Sequence, residues 1–89
     1  MIDPKDSLIE YPCDFPIKVF GEAQPGFAEA IATVVRNYDA GFDAATIEAR
    51  SSSKARYTCL TCTVRATSRE QLDNIYRDLT SHPMVKTAL

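Results

Sequence analysis

Ten consecutive residues, Tyr57 to Ala66, alternate without a break. Leu60, Cys62, Val64 and Ala66 fall on one side, and Tyr57, Cys59, Thr61, Thr63 and Arg65 on the other. Period two with β-branched content predicts a long strand that buries one face only. A strand of this kind needs neighbours in a sheet and a helical layer over its apolar side.

The rest of the chain supplies both. Phe15, Ile17 and Val19 share one face of a first strand that runs to Phe20 and ends at Gly21, with Lys18 and Phe20 on the other face. Pro25 suits the first turn of a helix, where its missing N–H costs nothing. Phe27, Ala30, Ile31, Val34, Val35 and Tyr38 then follow helical spacing, and Asn37 to Gly41 closes that helix. Ala45, Ile47 and Ala49 alternate with Thr46, Glu48 and Arg50, which predicts a half-polar second strand. Ser68 and Gln71 have capping-box spacing, and Leu72, Ile75, Tyr76 and Leu79 form the stripe of a second helix that Pro83 stops. Val85 to Leu89 reads as a short last strand.

The order strand–helix–strand–strand–helix–strand predicts an α+β fold of ferredoxin-like, split βαβ type. Its four-stranded antiparallel sheet carries two helices on one face. Its 89 residues suffice for a single domain. That domain is expected over 15–89, after an extended lead-in over 1–14 in which Leu8, Ile9 and Tyr11 pack down.

With 45% apolar and 25% charged residues the chain matches an ordinary globular protein, and a net charge of −2 gives no strong field for nucleic acid. No apolar run reaches the roughly 20 residues of a membrane span. The N-terminus lacks a basic region followed by an apolar stretch, so the expected compartment is the cytoplasm. Cys13, Cys59 and Cys62 are an odd set, ill suited to a secreted disulfide framework.

Leu8-Ile9-Glu10-Tyr11-Pro12, Phe15 to Gly21, Ser52-Ser53-Lys54 and Tyr57 together resemble the YbeD family of small bacterial proteins, over nearly the whole chain. That resemblance implies an ACT-like domain, of the type that senses small molecules in amino-acid metabolism, and a link to lipoate metabolism in some bacteria. Gln24-Pro25-Gly26-Phe27 is similar to the start of an ACT first helix, where a Pro–Gly pair lies beside the effector pocket. Gln24 stands where such domains carry an acid, and the nearest acid here is Glu22.

Several residue sets invite chemistry. Cys59 and Cys62 match C-x-x-C, but residues three apart on a strand face opposite ways, so structural thiols are expected rather than a zinc or redox pair. His82 near a helix end reads as a cation at the C-terminus of the helix dipole, with no nucleophile and base beside it. Neither a catalytic set nor a metal or cofactor is expected. Gly21, Gln24, Pro25 and Gly26 form the loop before the first helix. Arg50, Ser52, Ser53, Lys54 and Arg56 belong to a hairpin placed at the same end. Helix N–H groups and three cations there suit a small-molecule or anionic ligand, or a partner; a solvated charged hairpin is the plain alternative. Phe20 and Tyr57 project from the uncovered sheet face, where another protein or a second copy as a homodimer would meet them. A single-stranded RNA reading of that face is the alternative, against which the acidic balance and the missing Gly-aromatic motif count. The sequence therefore reads as a non-enzymatic regulatory or protein-interaction module, without membrane attachment.

Overall fold

The computed structural model describes residues 10–51, 54 and 56–89. Its spine is a ten-residue antiparallel ladder between β1 (Cys13–Glu22) and β3 (Tyr57–Ala66), from Cys13 opposite Ala66 to Glu22 opposite Tyr57. Both strands alternate inward apolar and outward polar residues, so each needs the other as a wall for the same core. β2 (Glu48–Ser51) pairs with β3, and β4 (Val85–Ala88) pairs with β1, giving the order β2-β3-β1-β4. Two helices, α1 (Phe27–Arg36) and α2 (Arg69–Ser81), complete the ferredoxin-like α+β fold. Ile17, Val19, Leu60, Cys62 and Val64 of the sheet meet Phe27, Ile31, Val35, Leu72, Ile75 and Leu79 of the helices in one buried cluster.

β1 starts within the stretch read as a lead-in and runs past Gly21 to Glu22. Gly21 continues the strand rather than ending it. A β-carbon there would lie 2.3 Å from the carbonyl oxygen of Met84 and 2.6 Å from the ring of Phe27. The missing side chain lets both close over β1. Tyr11, half-buried, packs against the core, while Leu8 and Ile9 lie outside the described residues.

Pro25 stands before α1, not in its first turn. The Phe27 N–H reaches the Gln24 carbonyl at 3.4 Å, with Gly26 at φ 82° and ψ −1°. Pro at the second position and a left-handed Gly at the third make a type II turn. The expected second strand from Ala45 is shorter too. Asp43 caps a 3₁₀ turn at Ala44–Thr46 by accepting from the Ala45 N–H at 2.9 Å, and the strand begins only at Glu48. This side-chain-to-backbone bond outcompetes the alternating pattern.

Where β2 falls short, side chains serve β3 instead. The Arg65 N–H donates to Asp39 Oδ2 at 2.9 Å. The capping box of α2 is half-formed: Ser68 accepts from the Gln71 N–H at 3.1 Å. Gln71 Oε1 takes the N–H of Thr67 at 2.6 Å rather than that of Ser68, and its Nε2 donates to the carbonyls of Tyr38 (2.8 Å) and Arg65 (3.2 Å). One amide thus ties α2 to the ends of β3 and α1. Tyr38 also donates its hydroxyl to Asp78, and this bond holds the Tyr38 pKa above its ordinary value.

Among the described residues, β4 leaves the Cys13 half of the β1 edge unpaired. Lys18 and Leu89 exchange both backbone bonds (3.0 and 2.8 Å), so Lys18 turns its backbone groups toward β4. Pro16, two residues earlier, turns its nitrogen the same way, past the residues β4 covers.

Gly21→Ala should lower stability by about 2–3 kcal/mol, since overpacking against backbone has no flexible side chain to yield. Urea unfolding would read this as a lower midpoint with unchanged slope. A loss below about 0.5 kcal/mol, within the range of ordinary surface substitutions, would show that the close approach is not needed.

Candidate functional site

The two faces of the sheet differ sharply. One is sealed by the helices. On the other, alternation places Asp14, Pro16, Lys18, Phe20 and Glu22 of β1 beside Tyr57, Cys59, Thr61, Thr63 and Arg65 of β3. The register sets Arg50, Cys59, Phe20 and Thr87 in one row across all four strands. Tyr57 lies diagonal to Phe20, opposite Glu22. Phe20, Arg50, Ser51, Tyr57, Thr58 and Cys59 line a shallow cavity of about 180 Å³. Tyr57 is 45% exposed, Phe20 and Cys59 are half-buried, and Arg50 is exposed.

The loop and the hairpin expected to share one end do so. The Ala23 N–H donates to the Arg56 carbonyl at 2.9 Å, which fastens the loop before α1 to the start of β3. Arg56 and Lys54 are exposed there, and Ser52 and Ser53 lie outside the described residues. The expected loop and hairpin residues nevertheless divide between the two faces. Gly21 points to the covered face beneath Phe27 and Met84, whereas Arg50 shares the open face with Phe20 and Tyr57. Gln24, Pro25 and Gly26 form the exposed turn between these two positions. Glu29 occupies the first turn of α1 and offsets the positive end of its dipole.

Cys59 and Cys62 take opposite faces, as strand geometry requires. Both are free thiols; Cys62 is fully buried, and burial pushes its pKa up to about 11. His82 follows α2, and its Nδ1 accepts the Met84 N–H at 3.1 Å. The ring therefore orders the turn into β4.

A second cleft, of about 380 Å³, escaped sequence reasoning. Asp14, Asp39, Asp43, Thr46, Thr63 and Arg65 are among the residues around it, where β2 is missing beside β3. The signal was present in Asp39-Ala40-Gly41-Phe42-Asp43, a turn with an acid at each end. These carboxylates already hold the fold: Asp39 takes the Arg65 N–H, Asp43 caps the 3₁₀ turn, and Asp14 pairs with Arg65 at 3.3 Å.

In the native protein, iodoacetamide at pH 8 should modify Cys59 and leave Cys62 untouched until denaturant is added. Fragment-ion mass spectrometry of the 57–65 peptide, which carries both thiols, reads the order; equal rates would contradict the strand register. Lys54→Ala/Arg56→Ala should shift Tm by less than about 8 °C, because two ordinary surface substitutions together change stability by no more than about 1 kcal/mol. Titration with inorganic phosphate tests the anion reading of this end. Amide shifts at Ala23, Gly26 and Arg56 that vanish in the variant support it, and binding that survives ends it.

The family model described as "Protein of unknown function (DUF493)" matches residues 6–89. A UPF0250 protein of Paraburkholderia phytofirmans is 61% identical over 89 residues, covering 100% of both chains. One from Nitrosomonas europaea is 52% identical over 85 residues, covering 96% of this chain and 98% of that protein. The solution structure of protein HP0495 from H. pylori superposes with a TM-score of 0.75 at 17% identity, covering 100% of this chain and 97% of that one. That likeness establishes the shared fold. No helix among the described residues is long and apolar enough to cross a membrane. With matches of this length and identity, the chain belongs to the DUF493 (UPF0250) family of small bacterial proteins, the YbeD-like group its motifs resemble.

Proposed function

We propose that this chain is a non-catalytic regulatory or protein-interaction module of the cytoplasm that works through the open face of its sheet. The observation that carries the reading is the placement of Phe20 and Tyr57. Two aromatic side chains border one cavity on a face that no helix among the described residues covers. Aromatic residues in a partly desolvated recess are the groups that contribute most to association. The rest of the architecture supports a binding role. Among the described residues no polar or charged side chain is buried, so the interior offers no desolvated acid–base pair. The one strongly shifted thiol, Cys62, is held protonated inside the core.

The ACT-like resemblance supports regulation by analogy of shape, through the Gln24-Pro25-Gly26 turn that opens α1. A second reading draws on the same aromatic pair. Sheet-face aromatics stack single-stranded RNA in other proteins of this topology.

The test compares the full chain with Phe20→Ala/Tyr57→Ala as immobilised bait, followed by hydrogen-exchange mapping of any captured protein on the purified pair. The proposal expects capture by the parent only, with protection centred on Phe20, Arg50 and Cys59. Protection confined to the helix face, or equal capture by both baits, overturns it. RNA binding that falls steeply with salt and disappears in the variant would favour the second reading. Turnover of a substrate by the pure protein, lost on changing surface residues, would remove the non-catalytic claim.

A further inference from the structure

Two ion pairs lie on the open face. Glu22 lies 3.9 Å from Lys86, and Asp14 lies 3.3 Å from Arg65. Lys18 and Glu48 stand in one row on either side of Thr61. Among the described residues neither Lys18, Glu48 nor Arg50 forms an ion pair, and of the three it is Arg50 that borders a cavity. Its row continues through Cys59, Phe20 and Thr87, none of which is a carboxylate. Among the described residues its guanidinium has neither a hydrogen bond nor an ion pair. It borders the cavity of about 180 Å³ whose other walls include Phe20, Tyr57 and Cys59. Lys54 and Arg56, exposed at the same end, add positive potential to a chain whose net charge is −2.

We infer that this cavity receives a short extended protein segment bearing an apolar side chain and, two residues away, a carboxylate. The inference rests on the open face being the binding surface. The apolar side chain fills the recess against Phe20 and Tyr57. The carboxylate meets the Arg50 guanidinium, whose planar fork suits two parallel hydrogen bonds. Spacing of two puts both groups on one side of an extended segment. A nucleic-acid strand fits less well, since its repeated phosphates call for several cations along a track and this recess presents one guanidinium at its wall.

Two pentapeptide probes test this, acetylated and amidated, of sequence Gly-Phe-Gly-Asp-Gly and Gly-Phe-Gly-Asn-Gly. Each is titrated into the ¹⁵N-labelled full chain and followed by amide shifts. The acidic peptide should move the amides of Phe20, Arg50 and Cys59. The Asn peptide, and Arg50→Gln with the acidic peptide, should each bind about tenfold more weakly, the scale of one lost charge-assisted pair. Arg50→Lys, which keeps the charge but not the fork, should fall between them. The spectrum of each variant reports its fold in the same experiment. Equal affinity for the two peptides, shifts away from this row, or no shifts overturn the acidic-segment inference. If Phe20→Ala/Tyr57→Ala still loses a captured protein in that case, the open face remains the binding surface and only the stated chemistry fails. A concentration-dependent mass that Arg50→Gln abolishes would give the face to a second copy and likewise overturn it.

Discussion

Much of this fold depends on one absent side chain. Gly21 sits near the end of β1 where the chain must turn into α1 and where β4 begins alongside. The Phe27 ring and the Met84 carbonyl both occupy the space a β-carbon would take. That single vacancy fixes the height of α1 above the sheet and the approach of β4 to its edge. The bulge-like register shift between Phe20 and Gly21 in the β1–β4 pairing falls at the same point. At the opposite end, Gln71 does comparable work with hydrogen bonds, joining α1, β3 and α2 through one amide. Packing at one end and polar bonding at the other hold the helical layer in register.

The long elements were legible because their signal is repeated. β3 carries ten alternating residues, and α2 carries the stripe Leu72, Ile75, Tyr76 and Leu79 behind a serine cap. Many residues vote on one answer, and no local bond opposes them. The segment from Asp43 to Ile47 misled because a three-residue alternation there competes with a side chain that bonds its own backbone. Pro25 was misplaced by one structural unit for a similar reason: Pro–Gly suits both a helix start and a type II turn. Distinguishing them needs the φ of Gly26.

The candidate site was legible only in part. Alternation alone put Phe20, Tyr57 and Cys59 on the open face, because parity along a strand is a sequence property. That Arg50 joins them, while Gly21 turns away to the helices, depends on the register between β2 and β3 and on which face is covered. The Asp39–Asp43 cleft was hidden because its residues come from a loop and two strands whose proximity arises only after β2 stops short. The His82 bond was hidden too, since the ring accepts from a residue two positions later.

Pro16 has a consequence beyond the ladder it belongs to. A sheet edge with free N–H and C=O groups is a template on which foreign strands can add, and chains of this architecture must manage that hazard. β4 covers only the Glu22 half of β1, and among the described residues no strand pairs with the Cys13 half on that side. Pro16 removes a donor from the middle of that stretch, and the charged Asp14 stands beside it. Both features make this flank a poorer template for strand addition. A backbone edge built this way resists growth into polymer.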